Sequence, residues 1–176
     1  MKLIVGLGNP GHRYKKTRHN VGWIVINELA KNWKKSKKAN CVYSKQGDIE
    51  YIKPLTFMNN SGKAVRSVKD KHKIKPENII VIHDDIDLPF GEIRISKDVS
   101  SAGHKGVQSI INELGTQDFT RVRIGINPRL VGEQADRKID TERFVLEKFT
   151  KEENKQLDEI IKQAIETIKR ELCQSI

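Results

Sequence analysis

The sequence predicts a single α/β domain in which a central mixed, mostly parallel sheet is flanked by helices. Three observations carry that expectation. A chain of 176 residues suits one domain large enough to bury its own core. Two short apolar runs, Leu3-Ile4-Val5-Gly6-Leu7 and Ile79-Ile80-Val81-Ile82, read as strands covered on both faces. Between and after them lie segments with apolar residues at helical spacing, the alternation typical of α/β folds.

Taken in order, Leu3 to Leu7 is the first strand, ending in glycines. Asn20 to about Trp33 places Val21, Ile24, Val25, Leu29 and Trp33 on one helical stripe. Cys41-Val42-Tyr43 and Ile49 to Ile52 flank Gln46-Gly47-Asp48, a hairpin signal. Ser61 to about Lys71 is an amphipathic helix with lysines outward. Asn78 to Ile82 is a buried strand that ends at His83-Asp84-Asp85. Gly91 to Ser96 alternates, with Ile93 and Ile95 set against Glu92 and Arg94, and reads as a strand. Gly106 to Leu114 is a helix stopped by Gly115, and Arg121 to Ile126 alternates again. Pro128 to Asp140 is polar and turn-rich, too short to separate domains. Thr150-x-x-Glu153 is a capping box opening a last helix, whose stripe of Leu157, Ile160, Ile161, Ala164, Ile165, Ile168 and Leu172 is expected to dock on the domain's own core.

Composition narrows the function. Hydrophobic residues make up 36%, and no run approaches the roughly 18 apolar residues of a membrane span. No signal-peptide pattern follows Met1-Lys2. Cys41 and Cys173 lie far apart without a CxxC, so neither a disulfide framework nor a zinc cluster is indicated. A cytosolic, metal-independent protein is expected. Lysine and arginine number 33 against 23 acids, a net charge of +10. Such a surface attracts polyanions by counterion release, or serves solubility; charge alone leaves both open.

Several motifs fail on inspection. Gly6-x-Gly8-x-x-Gly11 matches the dinucleotide fingerprint, but no helix begins within the glycines, so a pyrophosphate would lack its cradle. Ser61-Gly62-Lys63-Ala64 lacks both the upstream glycine and the final hydroxyl of a P-loop. There is no GxSxG elbow. His83-Asp84-Asp85-x-Asp87 could hold Mg²⁺ through its carboxylates, yet an acid there is better suited to orienting a histidine. What remains is a set of polar residues on loops past strand ends, where α/β sheets keep their sites: Asn9 and His19, Asn59 and Asn60, Asp84, and His104-Lys105. A histidine base, a supporting carboxylate and amides that hold a developing oxyanion would hydrolyse an ester or amide without a covalent intermediate.

These residues sit in blocks that run in order along the chain: Ile4-Val5-Gly6-Leu7-Gly8-Asn9-Pro10-Gly11, Tyr14-x-x-Thr17-Arg18-His19-Asn20, Lys53-Pro54-x-Thr56-Phe57-Met58-Asn59-x-Ser61-Gly62, His83-Asp84-Asp85-x-Asp87-Leu88-Pro89 and Gly103-His104-x-Gly106. Together they closely resemble the bacterial-type peptidyl-tRNA hydrolases, from Met1 to about Leu172. The resemblance implies a cytoplasmic, cofactor-free, monomeric esterase that cleaves the bond between a peptide and the tRNA 3′ ribose. It implies His19 as general base, Asp84 as its support and Asn9 as the sensor of the peptide amide. Tyr14, Phe57, Met58 and Asn59 would line the cleft, while Arg123 and Lys97 would face tRNA. The family's usual residue at position 105 is asparagine; Lys105 is a departure that could still bind substrate through a phosphate or carbonyl, but with three donors and no acceptor it could not accept a bond from water as an amide oxygen does. A non-hydrolytic RNA-binding member of the same fold is the alternative reading. A small-molecule hydrolase is disfavoured by the charge.

Overall fold

A computed structural model of the protein describes residues 1–128 and 140–174; most of the Pro128 to Asp140 stretch therefore lies outside the described residues. Among the described residues, seven strands form one sheet in the order β2-β3-β4-β1-β5-β7-β6. They are β1 (Lys2–Gly6), β2 (Lys34–Ser36), β3 (Cys41–Gln46), β4 (Ile49–Pro54), β5 (Ile79–Pro89), β6 (Ile93–Lys97) and β7 (Thr120–Asn127). The four central strands, β4, β1, β5 and β7, are parallel. The remaining strands add antiparallel at the edges, as the expected mixed, mostly parallel sheet requires.

Helices cover both faces. On one, α1 (Val21–Leu29), α4 (Thr141–Leu146) and α5 (Lys151–Gln174) pack Val25, Phe144, Ile160, Ala164 and Ile168 against Ile4, Ile82 and Ile124. On the other, α2 (Ser61–His72) and α3 (Lys105–Leu114) pack Val65, Val68, Val107 and Ile110 against Leu3, Val5 and Val81. Neighbouring residues of β1 and β5 thus supply opposite cores, which is why their sequences are apolar without alternation. The capping box forms as read, with Thr150 N–H bonded to Glu153 Oε2 at 2.6 Å and Glu153 N–H to Thr150 Oγ1 at 3.2 Å. The stripe of α5 docks on the domain's own core.

Three features differ from the sequence reading. Helix α1 stops at Leu29, because Ala30 is extended and Asn32 is left-handed (φ 57°); Trp33 still packs on the same core from a loop, so its helical spacing is a coincidence of position. Ile95 is 40% exposed because β6 is an edge strand with no layer over that residue. The third difference matters for function. Strand β5 does not end at Ile82 but runs to Pro89, since β7 keeps pairing with it, His83 opposite Arg123 and Asp84 opposite Ile124. On its other side β1 ends at Gly6, opposite Ile82, and the chain turns away at Leu7, whose N–H bonds to Ile82 O at 3.0 Å. From His83 onward β5 therefore has one paired edge and one edge facing a cleft.

The start of α1 is pressed onto this junction. A Cβ at Gly22 would lie 2.4 Å from Ile82 O and 2.7 Å from Leu7 N and O, all main-chain atoms that cannot swing aside. Gly22→Ala is expected to cost about 1–3 kcal/mol through overpacking, read as a lower denaturant midpoint at unchanged slope.

Candidate active site

Beyond the carboxyl ends of β1, β4 and β5 lies a cleft of about 590 Å³, lined among others by Asn9, His19, Met58, Asp84, His104 and Lys105. Asp84 is its fixed point. The strand places its carboxylate at the floor, 2% exposed, and both oxygens lie 2.9 Å from His19 Nδ1. His104 Nε2 lies 3.0 Å from Asp84 Oδ1. Burial works against ionisation of Asp84, but His19 and His104 together hold its carboxyl well below the usual range.

The tautomers follow from the hydrogen bonds. His104 is the N-cap of α3, and its Nδ1 accepts from the N–H groups of Gly106 and Val107 at 3.1 and 3.2 Å. An accepting Nδ1 carries no proton, so the proton of neutral His104 is on Nε2 and is donated to Asp84. His19 likewise gives its Nδ1–H to Asp84, an acceptor-only group, which leaves the Nε2 lone pair of His19 without a proton. Burial opposes protonation of His19, yet the charge and hydrogen bond of Asp84 outweigh it and raise the pKa above 6.5, with Lys105 pulling the other way. A ring so placed can take a proton from water and pass it on.

A third imidazole stands behind these two. His83 donates Nδ1–H to the carbonyl of Asp84 at 2.7 Å, and its ring meets that of His104 edge-on with centroids 4.7 Å apart. Burial, and then the neighbouring His104, push its pKa well below 6.5, so it is neutral.

His19, Asp84 and His104 each offer a ligand atom within 4.8 Å of the others, a spacing at which a cation could be gripped. The tautomer of His104 opposes it. A metal on Nε2 would drive the proton to Nδ1, straight at the two amide donors it now accepts.

Asn9 is fixed with equal care. Its N–H bonds to Asn20 Oδ1 and its carbonyl accepts from Asn20 Nδ2, both at 2.9 Å, and Asn20 is fully buried. Asn9 Oδ1 accepts from Met58 N–H at 2.8 Å. The amide oxygen is thereby occupied, and the two Nδ2 protons remain for a ligand in the cleft.

The other sequence-predicted residues divide. Phe57 is 56% exposed and lines the cleft beside Met58 and Asn59; Tyr14, expected to line it too, is not among the lining residues and meets Phe57 edge-on, with ring centroids 6.5 Å apart. Arg123 and Lys97 lie outside the cleft lining, toward the β6 edge. Arg123 is committed to Asp85 at 2.6 Å and to Ser96 Oγ at 3.2 Å, while Lys97 is exposed, 3.7 Å from Asp118. Lys105 forms an ion pair with Glu142 at 2.7 Å, across the cleft between the first turns of α3 and α4. Exposed pairs of this kind contribute about 0–1 kcal/mol.

Sequence reasoning placed His104 among the candidate polar residues without a specific role, and gave none to Asn20, Glu142 or His83. The one local signal was His104 directly before an apolar helical period, the position of an N-cap, which histidine seldom fills.

Comparison with known proteins settles the family. A family model described as peptidyl-tRNA hydrolase matches residues 3–176. The chain belongs to the peptidyl-tRNA hydrolase family. It is 48% identical to the peptidyl-tRNA hydrolase of Thermodesulfovibrio yellowstonii, covering 96% of this chain and 90% of that one. With the enzyme of the same name from Aquifex aeolicus it shares 45% identity over 97% and 89%. A solved structure of peptidyl-tRNA hydrolase from Acinetobacter baumannii superposes with a TM-score of 0.83 at 30% identity, covering 96% of this chain and 87% of that chain. Membership makes this α/β protein a hydrolase. Among its described residues no helix is long and apolar enough to cross a membrane.

Proposed function

We propose that the protein hydrolyses the ester between a peptide, or an N-blocked amino acid, and the tRNA 3′ ribose, releasing free tRNA in the cytoplasm as a monomer without a cofactor. His19 is the general base. Its Nε2 takes a proton from water as the oxygen attacks the ester carbonyl; the C–O bond to the ribose then breaks, and the proton is returned to the departing 3′ oxygen. Asp84 holds the working tautomer and offsets the charge of the imidazolium. Asn9 offers its Nδ2 protons to a carbonyl of the peptide, an interaction a free aminoacyl group cannot make in the same way. Phe57, Met58, Asn59 and Tyr14 hold the peptide and the 3′ end, and Arg123 and Lys97 meet the tRNA body.

The observation that carries this reading is the Nδ1 bond of His19 to a buried carboxylate, which leaves a basic nitrogen unoccupied beside the cleft amides of Asn9 and Asn59. Incubation with an N-acetylated aminoacyl-tRNA and with its unblocked form is the test. Release of tRNA from the blocked form alone is expected. Binding of both without release would favour a non-hydrolytic RNA-binding protein instead.

A further inference from the structure

The cleft is an acidic place in a basic protein. Among the described residues, four carboxylates line it, Asp84, Asp85, Asp87 and Glu142, against one lysine, Lys105, while the whole chain carries +10. Among these described side chains, Asp85 is offset by Arg123, and a ligand bearing phosphates finds its one attractive charge in Lys105.

That lysine is bound by Glu142 at 2.7 Å, with side chains 61% and 78% exposed. Other ion pairs near the cleft are of a different kind. Arg123–Asp85 is 18% and 6% exposed, and Arg18–Glu153 3% and 6%; opening either strands a buried charge. Lys105 and Glu142 are both solvated when they part, so their separation costs little. Among the described residues, Lys105 is thus the cleft cation free to change partner. Its ammonium, a compact point charge with three donors, accepts a phosphate oxygen as readily as a carboxylate.

We infer that Lys105 is a specificity-determining contact that exchanges Glu142 for a phosphate at the 3′ end of the bound tRNA. This rests on the reading of the protein as a tRNA-ester hydrolase. Glu142 is the resting partner and competes with substrate, so it lowers affinity in general. A ligand without a phosphate near its ester cannot draw Lys105 away and gains nothing from it.

A double-mutant cycle tests the exchange, using tRNA that carries an N-acetylated amino acid through a hydrolysis-resistant 3′ amide. Both residues are exposed, and thermal melts confirm that the variants fold. Glu142→Gln is expected to tighten binding about three- to tenfold, and Lys105→Gln to loosen it by a similar factor. In the double variant the gain from Glu142→Gln should vanish, leaving the affinity of Lys105→Gln. Equal tightening with and without Lys105 would mean that Glu142→Gln only removed a repulsive charge, and would overturn the exchange. So would an unchanged affinity of the Glu142→Gln variant. Turnover of N-acetylated aminoacyl-tRNA by the unaltered protein separates the two claims: a failed cycle beside normal turnover discards the exchange alone, whereas no binding and no turnover discard both.

Discussion

Asp84→Asn is expected to lower kcat/KM for an N-blocked aminoacyl-tRNA by about 10² to 10⁴, the range seen when a general base is held in the wrong tautomer or lost. The geometry says how. Oδ1 of Asp84 accepts from both His19 and His104, while Oδ2 meets His19 alone. His104 cannot change its tautomer without losing two cap bonds, so the amide oxygen of asparagine settles at the Oδ1 position to accept its Nε2–H. The NH₂ group then occupies the Oδ2 position and donates to His19 Nδ1. That proton must move to Nε2, and the base is gone. A second signature accompanies the loss. Because burial of His19 opposes its protonation and Asp84 alone raises its pKa above 6.5, removing the carboxylate charge lets that pKa fall. The free base is lost below the raised value in the native protein, so the acid limb of kcat/KM should move to lower pH in Asp84→Asn even as the plateau drops. A limb that stays in place, or moves upward, would contradict the pairing.

His19→Ala is expected to cost a similar factor, about 10² to 10⁴ in kcat, with little change in affinity for tRNA, since that affinity resides mainly in phosphate contacts. Truncation removes the bond of His19 to Asp84 on β5 and its ring contact with His104, but it leaves Asp84 bonded to His104 and touches neither hydrophobic core, so the fold should survive. Circular dichroism and a melt establish that point before the rate is interpreted. The two variants should not be additive: once Asp84→Asn has misplaced the proton, His19→Ala has little left to remove. Near-normal turnover in His19→Ala would remove the imidazole from the mechanism.

Much of the molecule was legible in the one-dimensional pattern. Apolar runs at residues 3–7 and 79–82 gave central strands, Gln46-Gly47-Asp48 gave the hairpin, Gly115 stopped α3 with φ 69°, and Thr150 with Glu153 opened α5. These signals are local, read within a turn or a few residues, and local physics decided them. His19, Asp84 and Asn9 fell within a wider set of polar residues past strand ends, and the resemblance to the peptidyl-tRNA hydrolases implied a role for each. The limit came where a partner distant in sequence decides. Strand β5 continues through His83-Asp84-Asp85 only because β7 is there to receive its hydrogen bonds, so a carboxylate read as a loop residue is in fact held rigidly on a strand. His104 acquires its proton position from the N–H groups of α3 and its target from β5. Arg123 and Lys105 read as free cations in sequence, but Asp85 and Glu142, 38 and 37 positions away, claim them. Composition determines that this chain carries excess positive charge; only the tertiary structure decides which of those charges stand unopposed, because electrostatic energy depends on distance and burial rather than on order along the chain.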